Sequence, residues 1–208
     1  MPKTQPVRLS ARSDDPRAAR SRVAVLRAAV DELGEVGYGA FSIESVAARA
    51  GVAKSTVYRH WPNGLAVITD ALETFHRELV PPPAGSPRAH LVTLLEHVAE
   101  ILADSPFAAC IPALIEGAHR DAAVAAFHFR YGADRRAELA AVIRAAIEAG
   151  EARASINVEM AVVLLLGPLF YQRLMTDTPF PPAAVEELVD AALGPRLTSR
   201  PALGRKKS

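Results

Sequence analysis

The sequence has little cysteine and few aromatic residues. Its single cysteine, Cys110, leaves no partner for an internal disulfide and no cysteine-rich metal cluster, so we expect a reducing, cytoplasmic environment. Aromatic residues make up 6% of the chain, whereas alanine and leucine are abundant and lose little rotamer freedom in a helix. The composition therefore predicts an all-α protein.

A secretory signal and a long hydrophobic run are also missing. The N-terminus has no charged start followed by an apolar stretch and a cleavage site. The most apolar segment, Met160 to Phe170, is shorter than the roughly 20 residues that span a bilayer. We therefore expect no membrane partner and interpret this segment as a buried helix or an interface.

Motifs of catalysis and metal binding are missing as well. The sequence has no nucleophile beside a base, no phosphate-binding loop and no metal-ligand spacing. Glu116, His119 and His128 are too scattered to form such a motif. His97 and Cys110 lack a partner at chelating spacing, so we expect no catalytic residues, no metal and no cofactor.

Charge is distributed unevenly along the chain, although the formal net charge is only +1. Residues 1–30 contain seven Lys and Arg against two Asp, whereas residues 80–195 contain eight Arg against fourteen acids. This asymmetry indicates that only the N-terminal part meets a polyanion. For residues 1–16 alone, a solvated disordered arm explains the charge equally well.

Two short helices separated by one glycine are predicted within residues 42–61. Ser42 can cap a helix from Ile43 to about Ala50, and Gly51 ends it. A second helix follows from Lys54 to His60 and ends at Trp61-Pro62, because proline disfavours helical geometry in the residue before it. Apolar residues of both helices close over a shared core, which leaves the other face of the second helix exposed. This is the geometry of a helix-turn-helix.

The exposed face of the second helix suits the major groove of DNA. It offers hydrogen-bond donors and one aromatic ring, with few carboxylates that would repel phosphate. The residues on this face are Lys54, Ser55, Thr56, Tyr58 and Arg59. Trp61 is interpreted as a core residue, and Arg49 as a solvated surface residue.

At these positions the sequence resembles the TetR family of transcriptional regulators. The matching features are Val46-Ala47, Ala50-Gly51-Val52 and Thr56-Val57-Tyr58, and the resemblance covers about residues 20–68. Leu164 to Tyr171 is similar to the C-terminal domain of one TetR subgroup. The resemblance implies a ligand-responsive repressor that binds an inverted-repeat operator in double-stranded DNA as a homodimer.

The resemblance also implies which side chains lie at or near DNA. Tyr58 and His60 are expected at phosphates, and the remaining contacts include the base-reading residues. The full set is Ser42, Lys54, Ser55, Thr56, Tyr58, Arg59 and His60.

Two positions depart from the family pattern. Gly64 stands where many members have a phosphate-binding lysine, and we expect Arg17, Arg20 and Arg22 to supply the missing charge. Ala53 stands where a capping Ser or Thr is common, and the loss of a cap costs about 1 kcal/mol.

Helical periodicity and proline-rich breaks divide the chain into four parts. The run at residues 80–87 contains four prolines and cannot form one helix. We predict a flexible basic arm (1–16), a three-helix helix-turn-helix DNA-binding domain with a connecting helix (17–79), a helical-bundle ligand-binding and dimerisation domain (80–195) and a flexible basic tail (196–208). The helix predicted from Asp121 to Ala149 could be interrupted near Gly132.

The second domain has two expected tasks. One short recognition helix buries too little surface for specificity, so two subunits should read two half-sites. The predicted dimer interface contains Leu165, Gly167, Leu169 and Leu188, which the family pattern favours over the alternative that these residues are core of one chain. A small apolar effector is expected in a pocket lined by Leu94, His97, Ile101, Phe107, Cys110, Leu114, Phe127, Tyr131 and Phe170.

Two alternatives remain open from the sequence. One is an enzyme built on a helical bundle, and the other is a helical ligand-binding protein with no DNA role. DNA binding that weakens linearly with salt on a log-log scale would distinguish the regulator from both.

Overall fold

The structure is a computed structural model, which describes residues 16–79 and 85–195. Every regular element within these residues is helical, as predicted. The α-helices in chain order are α1 (Pro16–Val36), α2 (Ile43–Arg49), α3 (Lys54–His60), α4 (Gly64–Leu79), α5 (Pro87–Ala103), α6 (Pro106–Arg120), α7 (Ala122–Glu148), α8 (Val158–Met175) and α9 (Val185–Leu193). Short 3-10 helices lie at Tyr38–Ala40 and Pro182–Ala184. The predicted arm up to residue 15, residues 80–84 of the linker and the predicted tail lie outside the described residues.

Polar side chains cap the starts of the later helices. The side chains of Ser86, Ser105, Asp121 and Asn157 each accept a hydrogen bond from a backbone N–H of the helix that follows. Each cap satisfies one of the amide groups that have no partner within the helix. α7 then runs unbroken through Gly132, so the possible interruption there does not occur.

The N-terminal helices surround a first hydrophobic core. α1 lies at its centre and packs against α2, α4 and α6, and Leu26, Leu33 and Leu72 are each 1% exposed. This core also contains Leu114 and Phe127, from α6 and α7. The apolar core of the N-terminal helices is therefore completed by residues that follow the predicted boundary at residue 80.

A second hydrophobic core lies between α5, α7, α8 and α9. Leu91, Ile143, Leu165 and Val189, one from each of these helices, are fully buried in it. The second core contains residues from the region predicted to form a helical bundle.

A buried arginine joins the start of α5 to the end of the described chain. Arg88 is 2% exposed. Its Nη2 donates to Asp190 Oδ1 at 2.5 Å and to the Gly194 carbonyl at 2.7 Å, and its Nη1 donates to the Glu151 carbonyl at 3.0 Å. The guanidinium therefore links the start of α5 to the end of α9 and to Glu151, just after the end of α7.

α8 has apolar side chains on both its inner and its outer face. Among the described helices it is long and apolar enough, by length and composition, to cross a membrane, as is the bent pair of α5 and α6 taken together. One face of α8 packs in the second core, and the other exposes large apolar side chains. These are Met160, Val163, Leu164, Tyr171, Leu174 and Met175. In a single copy of the chain, this outer face is not covered by other described residues.

Candidate DNA-binding interface

Local hydrogen bonds fix the turn between α2 and α3. Ser42 Oγ accepts a hydrogen bond from the Ser45 N–H at 3.1 Å and caps α2. Gly51 has a φ of +65°, a left-handed conformation that glycine adopts without strain. The Val52 N–H then donates to the Ala47 carbonyl at 3.0 Å. The chain therefore turns sharply after α2, which sets the direction of α3.

α3 has one buried face and one exposed face. Val57 is fully buried, and Trp61 directly after the helix is 5% exposed. The exposed residues are Lys54, Ser55, Tyr58, Arg59 and His60, and Thr56 is half-buried between them. The structure thus places six of the seven predicted DNA-contact residues on α3 and the seventh, Ser42, at the start of α2.

The side chain of Lys54 is engaged by two neighbours. Its Nζ forms an ion pair with Glu44, in the first turn of α2, and lies 5.5 Å from the centre of the Tyr58 ring. Hydrogen bonding to Glu44 raises the pKa of Lys54, and the same bond lowers the pKa of Glu44, so both groups are charged near neutral pH. Glu44 was not predicted to be part of the site, although it is the single acidic residue between positions 36 and 69.

Trp61 anchors the end of α3 to α1 and α4. Its Nε1 donates to Asp70 Oδ2 at 2.8 Å, and Arg22 Nη2 donates to both oxygens of the same carboxylate at 2.6 Å. The Arg22 guanidinium also lies 6.0 Å from the centre of the Trp61 ring. Trp61 is thus a core residue, as predicted. Arg22 was expected to supply charge for DNA, and in the structure its guanidinium is paired with Asp70.

Arg49 joins α2 to α1. Its guanidinium donates to both oxygens of Glu35, at 3.0 and 2.6 Å, and to Glu32 Oε2 at 3.2 Å. Glu32 is only 3% exposed, so Arg49 supplies the partner that a buried carboxylate requires. The side chain therefore serves the packing of α2 on α1.

The two departures from the family pattern have local consequences. Ala53, at the start of α3, makes no side-chain capping hydrogen bond. At Gly64, an added Cβ would lie 3.1 Å from two carbons of the Phe41 ring. A lysine at position 64 would therefore require the ring to move, and the glycine allows Phe41 to pack closely against the start of α4.

The N-terminal helices meet α6 along a close contact, here called the α1–α6 seam. A Cβ added at Gly34 would lie 2.9 Å from the Ala109 Cβ, and one added at Gly117 would lie 2.8 Å from the Tyr38 ring. The Tyr38 hydroxyl donates to Asp121 Oδ2 at 3.1 Å. These glycines let α6 pack closely against α1 and against the Tyr38 ring.

An open groove of about 600 Å³ runs along the α1–α6 seam. Small residues form most of its walls, and one acid and one arginine are its charged groups. It is lined by Gly34, Val36, Gly37, Gly39, Ala40, Ala109, Pro112, Ala113, Glu116 and Arg173. The Nε of Arg173 is buried and has no hydrogen-bond partner among the described residues.

The nine residues predicted to line an effector pocket pack at different places in the structure, and their role in binding an effector stays a prediction. Cys110, Leu114 and Phe127 are buried in the first core, and Phe107 and Tyr131 pack against it. Leu94 and Phe170 instead pack against the second core. His97 and Ile101 are half-buried on α5, and none of the nine lines the groove along the α1–α6 seam. Their apolar character serves two separate cores.

The predicted dimer-interface residues require a correction. Leu165 is fully buried and Leu169 is 1% exposed, both in the second core of a single chain, so neither can contact a partner directly. Gly167 lies on the exposed face of α8, and Leu188 is half-buried on α9. No three His, Cys, Asp or Glu side chains in the described part of the chain are arranged to hold a metal ion.

Two family profiles match this chain. A profile described as bacterial regulatory proteins of the tetR family matches residues 25–64, which include α2 and α3. A profile described as the tetracyclin repressor-like C-terminal domain matches residues 81–192. Together they extend over both hydrophobic cores.

Relatives match over most of their length. The chain is 33% identical to YdeS of Bacillus subtilis strain 168, an uncharacterised HTH-type transcriptional regulator, over 88% of this chain and 94% of the relative. A crystal structure of the TetR family transcription regulator SCO0332 has 31% sequence identity and a TM-score of 0.64, covering 84% of this chain and 98% of that one. The fatty acid degradation regulator FadR of Bacillus halodurans shares the fold, with a TM-score of 0.70 at 19% identity over 83% and 97% of the two chains.

Proposed function

Because this chain belongs to the TetR family of DNA-binding transcriptional regulators and is not an enzyme, we propose that it represses transcription as a homodimer on an inverted-repeat operator. The observation that carries this proposal is the exposed face of α3, which presents donors on a rigid helix-turn-helix. Two copies of α3 would enter successive major grooves about 34 Å apart on one side of the duplex.

The proposed contacts follow from the position of each side chain on α3. Lys54, Ser55, Thr56 and Arg59 would read base edges, since long cations and hydroxyls can hydrogen-bond there. Tyr58 is 44% exposed and, like the neighbouring His60, is suited to donate to phosphate. Phosphate contacts position the protein, whereas base contacts give sequence preference.

The outer face of α8 is the proposed dimer interface. Met160, Leu164, Gly167 and Tyr171 recur at intervals of three or four residues, and the three large side chains among them are at least half exposed. Such spacing forms one continuous stripe along the helix. A second copy of α8 would cover the stripe, with α9 beside it, in a four-helix bundle.

A small effector would act through the α1–α6 seam. The groove there touches both α1 and α6, so a molecule bound in it would favour one arrangement of these helices over another. A difference in affinity between the two arrangements of about 1 to 3 kcal/mol would change operator affinity about 5- to 150-fold.

Selection of bound fragments from random duplex DNA tests the proposal. An inverted repeat is expected, with half-sites about one helical turn apart. Tyr58→Ala is expected to weaken binding to the selected operator at least several-fold. The matched control is Phe129→Ala on α7, because Phe129 is also an exposed aromatic residue, at 67%, and lies far from α3 in the chain. Fragments without a shared sequence would contradict the proposed operator.

Sedimentation velocity tests the interface separately. Leu164→Glu introduces a charge in the middle of the apolar stripe and is expected to yield monomers at micromolar concentration. Phe129→Glu, which adds the same charge elsewhere, should leave the dimer intact. A wild-type protein that sediments as a monomer would refute the dimer.

A further inference from the structure

One carboxylate lies within the otherwise basic and neutral helix-turn-helix. Glu44 is the single acidic residue between positions 36 and 69. It pairs with Lys54, the first residue of α3 and one of the cations proposed to contact DNA. The only negative charge of this segment thus neutralises a charge at the point where α3 would meet the duplex.

The Glu44–Lys54 pair can be broken at low cost. The side chains of Glu44 and Lys54 are 54% and 52% exposed, and exposed ion pairs contribute little net stability because water and salt screen them. The pair therefore contributes little to the stability of the fold. It can open where a closely fitted partner on DNA replaces Glu44, and it stays closed where no such partner is in reach.

Glu44 also occupies the first turn of α2, where a negative charge interacts favourably with the helix dipole. That role alone would explain an acid at this position without any function in DNA binding. It predicts an effect on stability and none on the response of DNA binding to salt, so the two roles can be separated by experiment.

We infer that Glu44 is a specificity-determining residue that withholds Lys54 from the phosphates of non-operator DNA. On non-operator DNA, Lys54 stays paired with Glu44 and contributes no phosphate contact. On the operator, the fitted position of α3 brings Lys54 to its DNA partner and the pair opens. This inference rests on the proposed function, because it requires an operator that the protein distinguishes from other DNA.

Counterion release gives the expected size of the effect. Each phosphate that a cation neutralises steepens the dependence of log K on log salt by about 0.9. Glu44→Gln keeps the length of the side chain but releases Lys54. A homodimer releases two copies of Lys54, so the slope on non-operator DNA should steepen by about 1.8, which adds a further loss of about 12-fold in affinity between 50 and 200 mM salt.

The experiment uses the full-length chain with the selected operator and a scrambled duplex of equal length and composition. Affinities of wild type and Glu44→Gln are measured at several salt concentrations between about 50 and 200 mM. The expected result is a steeper slope and tighter binding on the scrambled duplex at low salt, with an unchanged slope on the operator. The ratio of operator to non-operator affinity should therefore fall.

Two matched variants identify the cause. Glu35→Gln removes the same charge from an exposed carboxylate that pairs with Arg49 and should leave the slope on scrambled DNA unchanged. In a Lys54→Met background, Glu44→Gln should no longer steepen that slope. Thermal unfolding of each variant identifies any that fails to fold, and Glu44→Asp, which keeps the charge, should keep the wild-type slope.

The outcomes separate the inference from the proposed function. A wild-type protein that binds operator and scrambled duplex equally would overturn both. If the wild type prefers the operator but Glu44→Gln has the same slope as the wild type on the scrambled duplex, the inference about Glu44 alone would be overturned. A slope that steepens equally in the Lys54→Met background would also overturn it, because Glu44 would then act by repelling phosphate directly.

Discussion

Removal of the Arg88 guanidinium should destabilise the protein more than removal of any exposed arginine. Arg88→Met keeps most of the buried aliphatic volume but deletes three hydrogen bonds, to Asp190 and to the carbonyls of Gly194 and Glu151. The Asp190 side chain is 44% exposed, so water can solvate its charge after the substitution. The two carbonyls are the larger cost, since Gly194 is buried and Glu151 half-buried.

The magnitude follows from these partners. A buried polar group left without a partner costs about 1 to 3 kcal/mol, so two carbonyls give about 2 to 5 kcal/mol when some water reaches them. In a protein of this size, 1 kcal/mol corresponds to about 2 to 4 °C in Tm. Arg88→Met should therefore lower Tm by about 5 to 15 °C.

Thermal unfolding followed by circular dichroism measures this, at one fixed protein concentration because the stability of the proposed dimer would depend on concentration. Arg120→Met is the matched control. Arg120 pairs with Glu116 on the same helix, and its side chain is 79% exposed, so its loss should cost at most about 0.5 kcal/mol. Equal Tm values for the two variants would refute the assignment of Arg88 as a buried clamp.

Three further outcomes are expected. Ala53→Ser should supply the missing cap of α3 and raise the free energy of unfolding by about 1 kcal/mol in urea titrations; no gain would mean that the N-terminal amides of α3 are already satisfied. Gly117→Ala should lower the free energy of unfolding by about 1 to 3 kcal/mol, because the new Cβ meets the Tyr38 ring at 2.8 Å. The control, Gly132→Ala within α7, should raise the free energy of unfolding by up to about 1 kcal/mol. Burial raises the pKa of the Cys110 thiol to about 12, so a thiol reagent at pH 8 should react only after unfolding. Because this pKa is higher in the folded than in the unfolded chain, folding stability should fall as the pH rises from about 9 towards 12.

The elements with strong local signals were predictable from the sequence. The predicted bounds of α3, Lys54 to His60, coincide with the observed helix. Gly51 and Trp61-Pro62 act within a few residues of the chain, so the boundaries did not depend on the rest of the fold. The exposed face of α3 followed in the same way, because its apolar residues are Val57 and, directly after the helix, Trp61, and both are buried.

Contacts between distant parts of the chain were not predictable in this way. Cys110 was assigned to a pocket because it is apolar and lies at helical spacing. The structure instead places its Sγ 3.4 Å from the carbonyl of Val30, 80 positions earlier in the chain. Periodicity identifies which face of a helix is apolar but not which helix will cover that face. The ligand-pocket prediction grouped residues that the structure divides between two cores.

The same limit applies to the predicted interface, where Leu165 and Leu169 were included but lie in the second core of one chain. When a helix is polar on one side, the sequence shows which side faces the core. α8 is apolar on both sides, so its periodicity does not show whether Leu165 and Leu169 or Leu164 and Gly167 face the core. Packing of α5, α7 and α9 in the second core makes that choice and leaves Met160, Leu164 and Tyr171 outside. Apolar surface of this extent is stable in water when another protein surface covers it. Which face of α8 is exposed is therefore a consequence of how one chain packs. A variant that disturbed the second core should weaken the proposed dimer without changing any residue of the stripe.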